Sequence, residues 1–94
     1  MQVHRHENGK FFPFTGATHE NVETSVNLAW SQKGMGDAEY VVAFERVILP
    51  IITQFDPDLV LVSAGFDAAV GDPLGGMYVT PSMYGYMTHV LCNR

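Results

Sequence analysis

One carboxylate, Asp67, follows closely on an apolar run and is the residue of this chain best placed to do chemistry. Residues 59–62 read Leu-Val-Leu-Val with no polar alternation, the pattern of a strand buried on both faces of a parallel sheet. Ser63, Ala64 and Gly65 end that run, and ligands in open α/β sheets gather beyond the carboxyl ends of strands. Asp67 is therefore sited to hold a metal or a polar substrate. The same residue also reads as a loop cap, since Asp commonly hydrogen-bonds the turn it sits in. A zinc or magnesium site needs three or more ligands converging from different segments, and the other candidates are Asp72, His4, His6, His19 and His89. His4 and His6 would share one face of an extended chain, but the Asn8-Gly9 turn signal directly behind them fits a surface pair at least as well. His89 falls among apolar neighbours and reads as structural. A Gly-rich phosphate loop, a nucleophile elbow and a metal-binding Cys spacing are all missing from the sequence.

The elements that must position these residues can be read in order. Residues 1–4 look like the tail of a strand that starts abruptly. Phe11, Phe12 and Phe14 surround Pro13, which has no N–H for a ladder, so this stretch is expected as a loop covering the core or lining a pocket. Residues 15–24 form a polar loop. Residues 25–30 alternate Val26, Leu28 and Trp30 against Ser25, Asn27 and Ala29, the period of a strand with one greasier face. Asp37 opens the strongest helix signal: an N-cap, Glu39 in the first turn, and a stripe through Tyr40, Phe44, Val47, Ile48, Ile51 and Phe55. Pro50 predicts a kink or a terminal turn within it, and Pro57 its end. With residues 25–30 before it and 59–62 after it, the helix completes a strand, helix, strand unit of a parallel sheet. Thr80 as N-cap and Pro81 as first helical residue open a second helix carrying Met83, Met87, Val90 and Leu91 on one side.

Composition narrows the class. Ninety-four residues, 47% hydrophobic and 16% charged, describe one globular unit of α/β type without a disorder signature. A chain of this length buries roughly 60–68% of its unfolded surface, so a parallel sheet covered on both faces is expected to belong to something larger. A formal charge of −5 with five scattered Lys and Arg argues against a nucleic-acid surface. The single Cys92 excludes an internal disulfide and fits a reducing compartment, as a buried or incidental thiol. Neither a signal-peptide pattern nor an apolar stretch approaching the ~18 residues of a span is present, so the expectation is a cytoplasmic or nuclear location without membrane contact.

Beyond these physical readings, a set of motifs carries a resemblance. Phe11-Phe12-Pro13, Val26-Asn27, Gly36-Asp37-Ala38-Glu39-Tyr40, Leu49-Pro50, Ala64-Gly65-Phe66-Asp67-Ala68 and Gly71-Asp72-Pro73-Leu74-Gly75-Gly76 resemble the zinc-dependent histone deacetylases, class II in particular, over nearly the whole chain. The resemblance implies the parallel-sheet α/β fold of the arginase and deacetylase type, of which these residues would be an internal segment incomplete at both ends. It implies that Asp67 is one of three zinc ligands, that Phe12 forms a wall of an acetyl-lysine tunnel and Leu74 its mouth, and that the Val3 carbonyl contributes to a structural potassium site. The partners implied are acetylated proteins of the histone or tubulin class.

The family's other zinc ligands and paired histidines match nothing here, nor does its catalytic Tyr in a Gly-Gly-Tyr segment, so the resemblance assigns no catalytic residue to these 94 positions. Gln2 stands where the family usually has Ser, and His6 where an aromatic is common. Three functions follow as alternatives. One is a segment of a protein-lysine deacetylase, which hydrolyses an amide with metal assistance. Another is an acetylpolyamine amidohydrolase, against which Leu74 speaks because an acidic residue would be expected at the tunnel mouth. The third is a truncated, non-catalytic product that acts as a binding or regulatory piece.

Overall fold

The computed structural model describes residues 1–9 and 25–93. The chain divides into two compact units, residues 1–34 and 35–94.

The first unit is built on two parallel strands, β1 (Gln2–Arg5) and β2 (Asn27–Trp30), with Gln2 opposite Asn27 and Arg5 opposite Trp30. Parallel pairing demands a long connection between the strands, which the intervening residues supply. The alternation expected along 25–30 does not sort burial. Val26, Leu28 and Trp30 are only half-buried, whereas Asn27, on the polar phase, is 4% exposed. A buried amide must be hydrogen-bonded, and Gln2 Nε2 donates to Asn27 Oδ1 at 2.7 Å across the register pair. Beyond β1 the chain turns through a short 3-10 segment, Glu7–Gly9, where Gly9 takes φ 89°, the left-handed conformation an Asn-Gly signal anticipates.

In the second unit α1 (Asp37–Ala43) runs through a π-helical turn, Phe44–Ile48, into α2 (Leu49–Phe55), and α3 (Pro81–Cys92) packs on α1. Gly36, rather than Asp37, is the N-cap of α1, and its N–H donates to Glu39 Oε1 at 2.6 Å. The π turn answers Pro50. A proline presses on the carbonyl four residues back and cannot accept the regular register, and here Leu49 N–H reaches Phe44 O, one residue further than in an α-helix. The helix stops as Pro57 predicts: Asp56 adopts φ 52°, a left-handed cap, with its N–H on Ile52 O at 2.9 Å. Of the expected stripe, Tyr40, Phe44 and Ile48 are buried, while Phe55 lies open to solvent.

The strand expected at 59–62 is not formed. These residues carry no strand assignment, and Leu61 is 86% exposed. A run buried on both faces needs neighbouring strands, and none pairs with it among the described residues. The core lies instead around residues 77–79. Tyr78 N–H bonds Met35 O at 2.8 Å, Val79 N–H bonds Ala68 O at 3.1 Å, and Val70 N–H bonds Val79 O at 2.9 Å, so short parallel bridges hold 35–36 and 68–70 on either side. Val79 is 0% exposed, and Met77 and Met83 are buried with it.

Candidate metal centre

Asp67 sits in a tight turn, residues 66–69, closed by Ala69 N–H on Phe66 O at 3.1 Å. Val79 holds the next residues from the interior. A second turn follows, with Asp72 N–H on Ala69 O at 3.1 Å and Gly71 at φ 91°. The Asp72 carboxylate then folds over the chain after it, its Oδ1 accepting Leu74 N–H at 2.9 Å and Gly75 N–H at 2.8 Å. Asp72, rather than Asp67, is thus the acid that caps a loop.

That cap brings Gly75 against Asp67. A Cβ on Gly75 would lie 2.7 Å from the Asp67 carbonyl carbon and overlap its oxygen. Only glycine admits this approach. Leu74, one residue before, therefore lies close to the Asp67 turn, and its side chain is 79% exposed. Behind the turn, the Phe66 ring meets Tyr84 of α3 edge to face, with centroids 5.1 Å apart. The Tyr84 hydroxyl is buried without a hydrogen-bond partner among the described residues. Burial raises the Tyr84 phenol above its ordinary range, and the negative charges of Asp67 and Asp72 add to the effect.

The remaining candidates separate. Val3 lies in the middle of β1 opposite Leu28, in the other unit. Phe12 and His19 lie outside the described residues. His4 and His6 stack edge to face at 6.1 Å, and His6 Nδ1 already accepts Gly9 N–H at 3.1 Å, which removes that nitrogen from any shared ligation. Both ring nitrogens of His4 are buried without a partner among the described residues. His89, in the last turn of α3, contacts Asn93 only four residues on. Cys92 is exposed, the incidental thiol of the two expectations.

Zinc requires anionic or imidazole donors that are not consumed by the protein. The exposed Asp67 carboxylate meets that requirement and fits one ligand position. Asp72 fits poorly, because an oxygen is committed to two backbone N–H groups. Among the described residues no group of three His, Cys, Asp or Glu could hold a metal, so Asp67 fits as a member of a larger donor set.

Comparison with known proteins bears on what that set belongs to. The family model described as histone deacetylase domain matches residues 1–94. The chain belongs to the histone deacetylase family. The chain is 49% identical to histone deacetylase HDA1 of Candida albicans over 97% of its own residues and 12% of that protein. It is 46% identical to human polyamine deacetylase HDAC10, over 94% of this chain and 14% of that one. The crystal structure of the HDA15 HD domain superposes with a TM-score of 0.89 at 51% identity, covering 95% of this chain and 27% of that one. The α/β class and the parallel strand pair are thus those of a deacetylase fold, and the chain spans about an eighth of the length of these curated relatives. No helix among the described residues is long and apolar enough to cross a membrane.

Sequence reasoning missed Gly75, Tyr84 and the pair in which Thr80 donates to the Asp37 carboxylate. Each acts through a contact distant along the chain. For Tyr84 the one available signal was its place four residues after a strong N-cap, which sets it on the second turn of a well-anchored helix.

Proposed function

We propose that these residues work as an internal segment of a zinc-dependent protein-lysine deacetylase domain of class II type, with Asp67 as one zinc ligand. The observation that carries this reading is the state of Asp67: its backbone is clamped by Gly75 and by the 66–69 turn, while its carboxylate is exposed, with no donor on it among the described residues. A carboxylate fixed at its base and open at its tip is pre-organised for a cation. Zinc, when bound, supplies polarisation of the acetyl carbonyl and a water of lowered pKa.

The chain's own contribution is positional. Asp67 holds its share of the metal and Leu74 offers an apolar surface beside it, and the resemblance gives Phe12 the role of a wall for the extended acetyl-lysine stem. The Val3 carbonyl joins a structural potassium site. General base and oxyanion donor come from outside these 94 residues, so the segment alone does not turn over substrate. The substrates are acetylated proteins of the histone or tubulin class, met in the cytoplasm or nucleus, with neither nucleic acid nor membrane as a direct partner.

Leu74 also favours a protein substrate over a polyamine, because an exposed aliphatic side chain gives a second cationic amine no counter-charge. The test is a side-by-side assay of the complete domain on an acetyl-lysine peptide and on N-acetylspermidine. Faster hydrolysis of the peptide is expected. Preference for the polyamine would contradict the substrate class, and acetate release from neither, in a zinc-loaded domain, would favour a non-catalytic binding role.

A further inference from the structure

The Asp67 side chain has no anchor of its own among the described residues, but the residue before it does. Phe66 is largely exposed, yet its ring meets Tyr84 with centroids 5.1 Å apart and planes at 65°, the edge-to-face arrangement in which one ring's positive rim meets the other's negative face. We infer that Tyr84 is a positioning residue for Asp67, and that its ring, through Phe66, sets the direction in which the turn presents the carboxylate. This rests on the reading of Asp67 as a zinc ligand.

The mount is rigid. Tyr84 N–H bonds Thr80 O at 3.3 Å, Thr80 is pinned by the Asp37 carboxylate, and Val79 beside it bonds both Ala68 and Val70. The 66–69 turn is consequently gripped from within by Val79 and from α3 by Tyr84. Phe66 O is the acceptor that closes the turn, so the turn's hydrogen bond and the ring contact with Tyr84 are anchored on the same residue. The Tyr84 hydroxyl contributes nothing to this grip, being buried without a partner among the described residues. Groups that orient a metal ligand from behind typically change affinity by roughly 10–100-fold when removed.

The test uses the complete zinc-loaded domain and the rate at which a competing chelator removes zinc. Tyr84→Leu and Phe66→Leu are each expected to lose zinc roughly 10-fold faster than the wild type. Tyr84→Phe should match the wild type, and the Phe66→Leu, Tyr84→Leu double variant should be no worse than either single, because both remove one contact. Wild-type retention by folded Tyr84→Leu or by Phe66→Leu overturns the inference, and so does a Tyr84→Phe protein as leaky as Tyr84→Leu, which would assign the effect to the hydroxyl. If Tyr84→Leu does not fold, Phe66→Leu decides alone, since it keeps an apolar side chain there and removes only the ring. Asp67→Asn in the same assay separates the two claims. Unchanged zinc there removes the ligand reading and the role of Tyr84 with it, whereas lost zinc there with wild-type retention in Phe66→Leu removes the positioning role only.

Discussion

The Asp37 carboxylate accepts two hydrogen bonds from Thr80, 43 residues along the chain: Oδ1 from the backbone N–H at 2.8 Å and Oδ2 from the hydroxyl at 2.5 Å. Thr80 Oγ1 in turn caps α3 by accepting Met83 N–H at 3.3 Å. One acid therefore ties the start of α1 to the start of α3. Asp37→Ala leaves both Thr80 donors without this acceptor and should destabilise the domain by about 1–3 kcal/mol. Thr80→Ala loses the cap and the hydroxyl bond to Asp37 while its backbone N–H stays on Oδ1, about 1 kcal/mol for the cap alone. Urea denaturation should show the double variant less destabilised than the sum, and strict additivity would mean the pair is not coupled.

Glycine positions near the site should differ sharply. Gly75→Ala drives a methyl into the Asp67 carbonyl and must displace the turn, at an overpacking cost of about 1–3 kcal/mol and with loss of bound zinc. Gly71→Ala meets nothing within 4 Å and carries only the strain of φ 91°, so it should lower stability but spare zinc. Metal analysis of the two purified variants distinguishes steric displacement at Asp67 from general loosening of the loop; equal zinc loss in both would contradict it.

In the metal-free protein the Tyr84 phenol contributes to a fall in stability at alkaline pH. Burial, then the charges of Asp67 and Asp72, raise its folded pKa above the unfolded value, so the folded state keeps its proton longer. The associated stability is fully present below about pH 10, the ordinary phenol value, and is lost as pH rises through the raised folded value. Tyr84→Phe should flatten that decline. Denaturation curves on both sides of about pH 10 check it, and an unchanged slope in the variant would show that other groups cause the fall.

Leu59, Leu61 and Val62 are exposed, and they are the residues expected to form a buried strand. Expressed by itself, the 94-residue chain should self-associate and bind a hydrophobic dye, as unpaired apolar strands do. Replacing Leu59 and Leu61 by Lys should relieve association of the isolated chain yet unfold the complete domain. Tolerance of both Lys residues in the complete domain would show that this run is never buried.

What the sequence makes legible here is local chemistry. Thr80-Pro81 marks the start of α3 because cap and first turn are adjacent residues, and Asp56-Pro57 marks the end of α2 for the same reason. Asp37 was legible as a residue of the helix start but not as the partner of Thr80, since the contact spans most of the second unit. The π turn before Pro50 resolves a steric conflict in one of several ways the sequence leaves open. The run at 59–62 carries the burial code of a central strand without the neighbours that would execute it among the described residues. At the site, the acid and its position just after that run were readable. Gly75, whose missing side chain lets the Asp67 carbonyl approach, was readable only as punctuation.

The central claim is that Asp67 holds zinc, and it is tested most directly by metal content. The complete domain and its Asp67→Ala variant, purified identically, are measured for zinc by elemental mass spectrometry, with acetate release from an acetyl-lysine peptide followed in parallel. The account predicts stoichiometric zinc and turnover in the wild type, and loss of most of both in the variant, because removal of one of three protein ligands weakens the site and its activated water together. A folded Asp67→Ala domain that keeps stoichiometric zinc and normal turnover would contradict it.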